Sequence, residues 1–566
     1  MVILGISAFV HDSAACLIID GKVVANVEEE RLDRIKHTRS FPVKAIDYVL
    51  TQGKIRLADV DVIAYNWNPY KSAAIEVIKL VIAPVIYFKV QKHARPPQNF
   101  RSIAASLRLK KTINKIYPGE FRGRIIFVNH HLAHAASSYY LAPFNREDAD
   151  VIVADGHGED CSTSVYSVTN NTFERKWKAP IWSSLGILYT TFTNFLGFAN
   201  YEEGKTMALA AYGRDTFKEP FQQILELRPN GEYAIPNQKY LGLWYYSETG
   251  LGREFGRKRE RDEPLEQRHF DIAFSMQNRI KEALLHMVRH APTTSGHENL
   301  CLSGGVFLNC DINREILQSH AYRKVFIPPF PSDSGGAAGA ALYAAVVCCG
   351  EMPEEIPSFS PYLGPEYNSE EIVAALEKRG RAYRQVEKPW EEAARALAEE
   401  KIIGWFQGRM ESGPRALGNR SILASPFSAG ICEYLNSQVK KREYFRPFAP
   451  VATKAAALKY FELQEPLSDL TRYMLVTTEV RREYRDLLPG ITHVDGTARI
   501  QVVSPAANPQ LYQLLLAFEK LTGHAVLINT SFNLQEPIVC SPEDALNCFA
   551  KAPLDVLFMG DCMVCR

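Results

Sequence analysis

Short apolar runs separated by polar turns open the chain. Residues 2–8, 14–20 and 23–30 each carry a run of the length and composition of a strand, and the turns between them contain His11, Asp12 and a Gly-Lys pair. Runs of this kind, bounded by turn-forming residues, are typical of hairpin-connected strands. The N-terminus is therefore predicted to form a meander of three antiparallel strands.

The same order of runs returns in the middle of the chain. Residues 151–154, 162–168 and 172–179 again read as three strands, separated by an acidic glycine turn and an Asn-Asn turn. Helical stretches lie between and after the two meanders. The repeat predicts a duplicated α/β fold of two related lobes, each with a mixed sheet, and places the ligand in the cleft between these lobes.

A change in composition near Gly350 predicts a domain boundary. Residues 351–367 are rich in Pro, Glu and Ser and lack an apolar period, as a linker does. We therefore expect one domain over residues 1–350 and a second α/β domain over residues 368–566. A chain of 566 residues is long enough for each domain to bury its own core.

Charge and hydropathy narrow the class of protein. The net charge is +1 and 23% of the residues are charged, which gives no overall electrostatic reason to bind nucleic acid or an anionic membrane. The most apolar segment, residues 77–88, is shorter than the ~20 residues that span a bilayer. No secretory signal is visible, and the eleven cysteines are scattered without a regular framework. These features predict a soluble cytoplasmic protein with reduced thiols.

Two histidines at helical spacing form the first candidate site. His130 and His134 lie four residues apart, so one helical face would present both rings, and Asp155 follows a predicted strand. The pair alone favours an ordinary polar helix face. His131 stands where zinc proteases carry a glutamate base, so the sequence does not support that class. The added carboxylate makes a metal site a candidate.

Three glycine-rich segments form the second candidate site. Paired glycines let a backbone approach a ligand closely, and the last segment opens an alanine-rich helix whose N-terminus would favour a phosphate. Tight turns with close packing explain each pair equally well, and none of the segments fits a P-loop or a dinucleotide-binding motif. The candidate nucleotide-binding residues are Gly204, Lys205, Ser303, Gly304, Gly305, Asn309 and Gly335.

Basic residues of the second domain form the third candidate site. They are set among Gly, Pro, Phe and Ala rather than among acidic residues, which suits guanidinium groups that clamp a planar anion. Hydroxyl and amide donors follow a buried-looking strand in the segment NTSFN, so a polyphosphate site is predicted. The residues concerned are Arg409, Arg415, Arg420, Lys440, Lys441, Arg442, Arg446 and Arg499, with Thr530, Ser531 and Asn533 from that segment.

Motifs along the whole chain carry a family resemblance. They read HDSAACLIIDGKVVANVEEERLDRIKH, HHLAHAAS, ADGHGE, EGKTMALAAYG, SGGVFLN, GPRALGNRSIL, KREYFRPFAP, HVDGTARIQ and NTSFN. Together and in this order the chain resembles the O-carbamoyltransferases of the NodU/CmcH family. The resemblance implies an actin-like, duplicated N-terminal domain similar to the threonylcarbamoyl transferase of tRNA modification, followed by a YrdC-like domain.

The resemblance also implies two coupled reactions and their residues. Carbamoyl phosphate and ATP, with Mg²⁺, would give carbamoyl-adenylate in the second domain, and the first domain would pass the carbamoyl group to a hydroxyl of a small-molecule acceptor. The family's iron ligands fall on His130, His134, Asp155 and Asp333. Its anion-binding positions fall on Lys440, Arg446 and Arg499, with Arg415 and Ser531 as companions.

Several points stay open at this stage. We expect His11 or Asp12 to be the general base, although both also suit a simple polar turn. Manganese or zinc would suit the same ligand set as iron. A tRNA-modifying transferase and a non-catalytic, nucleotide-regulated binding protein are the alternative functions. The acceptor, the oligomeric state and the role of residues 77–111 are not fixed by the sequence, and the family's usual EEERFTR departs here at Leu32 and Asp33.

Overall fold

The computed structural model describes residues 1–82, 98–144, 146–236, 248–352 and 359–566. Its contacts divide the chain into two compact units. Unit 1 comprises Met1–Glu29 with His37–Phe359, and unit 2 comprises Glu30–Lys36 with Ser360–Arg566. Residues 83–97 of the segment 77–111, and residues 353–358 of the predicted linker, lie outside the described residues.

The first sheet of unit 1 contains the N-terminal meander. Its order is β3-β2-β1-β4-β5, where β1–β3 are antiparallel and β4 and β5 run parallel to β1. The predicted meander is therefore confirmed. The strands are β1 (Val2–Ser7), β2 (Ala14–Ile19), β3 (Lys22–Glu28), β4 (Val62–Tyr65) and β5 (Arg124–Phe127).

The second sheet of unit 1 repeats this topology. Its strands are β6 (Ala149–Ala154), β7 (Thr163–Thr169), β8 (Thr172–Ala179), β11 (Asn299–Ser303) and β12 (Lys324–Phe326). Between β8 and β11 in sequence, β9 (Glu226–Leu227) and β10 (Tyr233–Ala234) pair with each other in a separate two-stranded sheet. The sheet order is β8-β7-β6-β11-β12, with β6–β8 antiparallel and β11 and β12 parallel to β6. The predicted duplicated α/β architecture is thus confirmed.

Helices cover these sheets and those of unit 2. The described α-helices are α1 (Glu30–Asp33), α2 (Val43–Gly53), α3 (Pro69–Ile82), α4 (Gln98–Leu107), α5 (Leu109–Ile116), α6 (His130–Leu141), α7 (Leu185–Phe195), α8 (Glu203–Ala210), α9 (Lys218–Ile224), α10 (Glu248–Phe255), α11 (Gln267–Ser295), α12 (Cys310–Gln318), α13 (Ser334–Tyr343), α14 (Ser369–Lys378), α15 (Pro389–Ala398), α16 (Ile431–Tyr434), α17 (Lys454–Tyr460), α18 (Pro509–Thr522) and α19 (Pro542–Lys551).

Helix α13 packs closely against its neighbours because it is built from glycine and alanine. A Cβ atom added to Gly339 would lie 1.8 Å from the carbonyl oxygen of Ala133 in α6. A Cβ atom added to Gly335 would lie 2.1 Å from the carbonyl oxygen of Phe330. Side chains of ordinary size would force these elements apart. Close packing, one of the two explanations for these glycines, is therefore observed at Gly335 and Gly339, and nucleotide binding at Gly335 stays a prediction.

We expect Gly339→Ala to destabilise unit 1. Alanine in a helix interior normally gains roughly 0.5–1 kcal/mol over glycine. The clash with Ala133 outweighs that gain, so the free energy of unfolding should fall by about 1–3 kcal/mol, as in other overpacked cores. Gly204→Ala is the control, because a Cβ atom there meets nothing within 4 Å and the helical gain should appear. Calorimetry of both full-length variants tests this, and an unchanged or raised melting temperature for Gly339→Ala contradicts it.

A mixed sheet forms the centre of unit 2. Its order is β13-β22-β21-β14-β15-β20-β16-β19, and a separate pair is formed by β17 and β18. Trp405, Phe558 and Leu527 are among the fully buried residues of its core. The strands are β13 (Arg384–Gln385), β14 (Ile403–Phe406), β15 (Arg420–Ala424), β16 (Ala449–Thr453), β17 (Thr477–Glu479), β18 (Thr497–Arg499), β19 (Gln501–Val503), β20 (Val526–Ser531), β21 (Val556–Met559) and β22 (Cys562–Cys565).

The segment 30–36 is part of unit 2 although it follows β3 of unit 1 in sequence. The guanidinium group of Arg34 donates to the carbonyl oxygens of Pro537 and Ile538 at 2.6 and 2.7 Å. Arg31 donates to the carbonyl oxygen of Gly413 at 3.0 Å. These contacts explain why the segment groups with the C-terminal sheet. Among the described residues, no helix combines the length and apolar character needed to cross a bilayer.

Candidate functional site

Strand ends bring the predicted metal ligands of unit 1 together. His130 follows β5 and begins α6, and Asp155 follows β6 directly. Asp333 follows β12 and stands at the N-terminus of α13, where its side chain makes no capping hydrogen bond. Its carboxylate is therefore left to face the histidines. One helical turn after His130, α6 presents His134 on the same face.

The four side chains form a compact buried cluster. His130 Nε2 lies 3.3 Å from Asp155 Oδ2 and 3.4 Å from Asp333 Oδ1. His134 Nε2 lies 3.4 Å from the same Asp333 oxygen and 3.8 Å from Asp155 Oδ2. One candidate ligand atom from each side chain lies within 4.8 Å of the others, and all four residues are buried. The arrangement suits a single cation in the middle.

Unpartnered atoms in the cluster support a metal ion there. His134 Nε2 and Asp333 Oδ1 are buried without a hydrogen-bond partner, which is costly for polar atoms unless something else binds them. Two other atoms of the cluster are held from outside. Asp155 Oδ1 accepts from the backbone N–H of Gly305 at 2.9 Å, and His134 Nδ1 lies 3.2 Å from Ser303 Oγ. Such outer contacts orient metal ligands.

Electrostatics in the cluster favour a positive charge. Burial disfavours a charged His130 ring, but the Asp333 and Asp155 carboxylates outweigh it and raise the pKa of His130 to about 10. Burial likewise opposes ionisation of Asp333, but His11 and His130 hold the pKa of that carboxyl well below its usual range. Two ionised carboxylates therefore share one buried site, as the ligands of a divalent cation do.

His11 and Asp12 lie beside this cluster. His11 Nε2 is 3.3 Å from Asp333 Oδ2, and His11 Nδ1 is 3.1 Å from Asp12 Oδ2. The other Asp12 oxygen lies 2.7 Å from His37 Nδ1. Burial would raise the pKa of Asp12, but its bonds to His11 and His37 hold it well below the usual value. Asp12 is therefore a persistent anion between two imidazole rings.

The glycine-rich candidates are spread around unit 1. Gly304 has a φ of +99° and passes close to the Ala154 carbonyl group, while its neighbour Gly305 binds Asp155 as described. Asn309 caps α12, where its side chain accepts from the backbone of the first turn. Gly204 lies in α8 facing open space, and Lys205 pairs with Glu202 at 2.6 Å. Of these candidates, Ser303 and Gly305 directly contact the candidate metal ligands His134 and Asp155.

The candidate residues of unit 2 meet at one end of its large sheet. The start of β15 pairs with the end of β20, and the start of β16 pairs with β20 as well. Strand β19 runs parallel to β16, so its start lies at the same end. The segments before β15, β16 and β19 carry Arg415, Lys440, Arg446 and Arg499, and β20 ends at Ser531. Topology thus gathers residues far apart in sequence.

Lys440 is buried and binds oxygen atoms at the end of β20 and in the loop that follows it. Its Nζ donates to the carbonyl oxygens of Ser531 and Asn533 at 2.7 and 2.6 Å. It also lies 3.2 Å from Ser531 Oγ and 2.7 Å from Asn533 Oδ1. Burial, then Arg442, lower the pKa of Lys440 well below its usual value. The ammonium group fixes this loop and orients the Ser531 hydroxyl.

Guanidinium groups crowd next to Lys440. Arg442 donates to Asn436 Oδ1 at 2.7 Å and lies over the Phe448 ring at 4.5 Å. Burial, then the neighbouring charges of Arg446 and Arg499, hold the pKa of Arg442 well below its usual value. The positive charges of neighbouring guanidinium groups repel one another, and an anion bound between them would relieve this repulsion. The cluster is therefore suited to a phosphate-bearing ligand.

Two other basic candidates bind backbone carbonyl oxygens, and a third lies in a neighbouring loop. Arg420 is fully buried, donates to the carbonyl oxygens of Gln407 and Pro365, and stacks on the Phe406 ring at 3.7 Å. Arg409 donates to the Leu363 carbonyl oxygen at 2.7 Å. Arg415 lies in the loop that precedes β15. That loop is folded by Glu411, whose Oε1 accepts backbone N–H groups of Leu417 and Asn419 at 2.7 Å.

Three residues of the unit 1 site were not identified from the sequence. Glu159 accepts from the backbone N–H of His130 at 3.0 Å and so holds the start of α6. His37 binds Asp12, and Tyr201 stacks on His37 with ring centroids 4.3 Å apart. Glu159 and His37 lie inside the quoted motifs, so these motifs could have indicated that both residues belong to the site. Tyr201 carried none, since its contact spans more than 160 residues of sequence.

Comparison with known protein families matches the chain in two consecutive segments. Residues 2–342 match the family model described as the carbamoyltransferase N-terminus, and residues 394–566 match the carbamoyltransferase C-terminus. Nodulation protein NolNO of Sinorhizobium fredii is 36% identical, over 99% of this chain and 79% of the relative. An uncharacterized protein of Synechocystis is also 36% identical, over 100% and 96%. Nodulation protein U of Rhizobium tropici is 28% identical, over 93% and 89%.

Solved structures show a weaker likeness. HypF in its phosphate- and nucleotide-bound form aligns with a TM-score of 0.34 at 14% identity, covering 62% of this chain and 56% of that one. A likeness of that size carries no argument, so the assignment rests on the family models and the relatives. Both models fit in chain order, and the larger alone spans more than half of the residues. The chain belongs to the carbamoyltransferase family and is a carbamoyl-transferring enzyme.

Proposed function

We propose that the enzyme is an ATP-dependent O-carbamoyltransferase that works through carbamoyl-adenylate and modifies a hydroxyl of a small-molecule acceptor. Unit 2, with a YrdC-like role, makes the adenylate, and unit 1 uses it. The observation that carries the proposal is that each unit has its own reactive cluster. A buried two-His, two-Asp site in unit 1 and a crowded cationic site in unit 2 suit two different half-reactions.

The first half-reaction needs stabilised phosphate charge. Water cleaves carbamoyl phosphate to carbamate and phosphate, a carbamate oxygen attacks the α-phosphorus of ATP, and pyrophosphate leaves. Negative charge on the phosphoryl oxygens is stabilised by positioned cations without covalent participation. Arg446 and Arg499 bind these oxygens in this proposal. Lys440 adds its charge and presents the Ser531 hydroxyl.

The second half-reaction transfers the carbamoyl group. The acceptor oxygen bonds to the carbamoyl carbon, the bond to the adenylate oxygen breaks, and AMP leaves with the electron pair. The hydroxyl proton passes to His11. Asp12 orients the His11 ring, as a carboxylate partner commonly orients a histidine base. Asp12 itself is a poor base, because its bonds to His11 and His37 hold the pKa of its carboxyl well below the usual value despite burial.

We assign the divalent cation of this step to His130, His134, Asp155 and Asp333, with ferrous iron as the proposed ion. Bound there, it would act as a Lewis acid on the carbamoyl or phosphate oxygens. The protein's own contribution is the shape of the site. Gly305 and Ser303 hold Asp155 and His134 in place from outside.

Pyrophosphate exchange tests the proposal. Purified enzyme is incubated with ATP, Mg²⁺, carbamoyl phosphate and labelled pyrophosphate, and the label in ATP is followed. We expect exchange that requires carbamoyl phosphate, because adenylate formation is reversible until the carbamoyl group is transferred. Exchange without carbamoyl phosphate, or none at all with the metal content confirmed, contradicts the carbamoyl-adenylate route. Dependence of the exchange on carbamoyl phosphate also counts against the tRNA-modifying alternative, whose activated group is a threonylcarbamoyl group.

A further inference from the structure

His37 stands at the outer end of a chain of polar contacts that reaches the metal cluster. Its Nδ1 lies 2.7 Å from Asp12 Oδ1, the second Asp12 oxygen lies 3.1 Å from His11 Nδ1, and His11 Nε2 lies 3.3 Å from Asp333 Oδ2. The side chain of His37 is 36% exposed, that of Asp12 17% and that of Asp333 3%. The chain of contacts therefore runs from the surface to the buried site.

Tyr201 holds His37 from the opposite side. The two rings stack with centroids 4.3 Å apart and planes 20° from parallel. Tyr201 also packs against the His11 ring at 5.4 Å, and its hydroxyl accepts from Arg39 at 3.0 Å. The same aromatic ring thus touches both histidines that bind Asp12, which restricts all three side chains to one arrangement.

The backbone around this group is strained at several positions. Phe9, Asp12, His37 and Tyr201 all have positive φ angles, at 70°, 51°, 52° and 68°. Non-glycine residues pay a conformational cost in this region, of order 1–3 kcal/mol each when it is sparsely populated. Strain of this kind is retained where the surroundings demand a particular arrangement, and here it converges on the side chains that hold His11.

We propose that His37 is a positioning residue for carbamoyl transfer. It donates from Nδ1 to Asp12 and so fixes the carboxylate that orients His11, while Tyr201 fixes His37. The inference rests on the proposed function, because it assigns His11 the proton of the acceptor hydroxyl. Without His37, Asp12 has one fewer donor and can turn away, and His11 then meets the acceptor in the wrong orientation for part of the time.

The test separates the two half-reactions and uses water as the acceptor probe. Full-length wild type, His37→Ala and His37→Gln are loaded with metal, and each is assayed for pyrophosphate exchange and for AMP release from ATP and carbamoyl phosphate. We expect His37→Ala to release AMP about 10- to 100-fold more slowly, the loss typical when an outer orienting partner is removed. Exchange and metal content should match those of wild type.

His37→Gln distinguishes orientation from folding. A glutamine amide can donate to Asp12 as Nδ1 does, so this variant should recover most of the AMP release, which a merely structural role for the ring would not predict. His320→Ala is the matched control, since His320 is another exposed histidine of unit 1 with a positive φ of 49°. It should behave as wild type.

The outcomes are distinct for the two proposals. Absence of carbamoyl-phosphate-dependent pyrophosphate exchange in wild type contradicts the proposed function itself. Normal release in wild type with unchanged release in His37→Ala overturns the role of His37. Equal losses in His37→Ala and His37→Gln overturn the donor role and leave His37 as a packing residue. Loss in His37→Ala with recovery in His37→Gln supports the positioning role.

Discussion

Asp333→Asn is expected to empty the metal site and stop carbamoyl transfer. Asp333 Oδ1 is the one oxygen that both histidines approach at 3.4 Å, and Oδ2 faces His11. The amide keeps the shape of the side chain but loses the charge that attracts a cation. Removing an outer partner of a metal ligand already costs about 10- to 100-fold in affinity or activity, so losing a ligand should cost at least the upper figure.

Metal analysis and thermal shift measure this without relying on activity. Wild type loaded anaerobically with Fe²⁺, Mn²⁺ or Zn²⁺ should retain about one ion per chain, and bound metal should raise its melting temperature, because a ligand that binds only the folded state stabilises it. Asp333→Asn should show neither effect. Pyrophosphate exchange should persist, because the residues proposed for that step lie in unit 2.

A buried aspartate outside the cluster provides the control. Asp150 is 1% exposed and accepts hydrogen bonds from Tyr322 and Ser295. Asp150→Asn should lower the melting temperature, since it weakens a buried network, while metal content stays at the wild-type level. A wild-type metal content in Asp333→Asn would contradict the assignment of the site.

The sequence predicted the fold of unit 1 well because its signals are local. Strand length and turn residues sit within ten residues of each other, so both meanders could be located and their repetition recognised. The spacing of His130 and His134 depends only on helix geometry. Asp155 was recognised because it follows a predicted strand, whereas Asp333 came from a family resemblance, and the structure places all four side chains in one cluster.

Contacts between distant residues were beyond that reasoning. The hydrogen bonds of Arg34 to Pro537 and Ile538 join residues about 500 positions apart, and no local pattern in the sequence indicates such contacts. The stacking of Tyr201 on His37 has the same character. Glycine-rich segments were ambiguous for a related reason, because the atom that Gly339 approaches belongs to another helix.

Lys440 shows how a residue type can be predicted without its contacts. The surrounding sequence indicates an anion-binding lysine, but the structure binds its ammonium group to four oxygen atoms of the loop containing Ser531 and Asn533. Three of the four distances are 2.7 Å or shorter, so the loop depends on this side chain for its position. Any phosphate recognised here is bound by a loop that Lys440 has arranged.

Lys440→Ala is therefore expected to abolish pyrophosphate exchange. The variant loses a positive charge beside Arg442 and leaves the Ser531 and Asn533 carbonyl oxygens without their donor, at about 1–3 kcal/mol for each buried acceptor left unsatisfied. Exchange should fall by at least about 100-fold, the scale of losing a preorganised donor to developing charge. Lys441→Ala is the control, because Lys441 is the adjacent lysine and is exposed. Folded Lys440→Ala that exchanges at the wild-type rate would show that the adenylate forms elsewhere, whereas loss confined to this variant places that chemistry at the end of the unit 2 sheet.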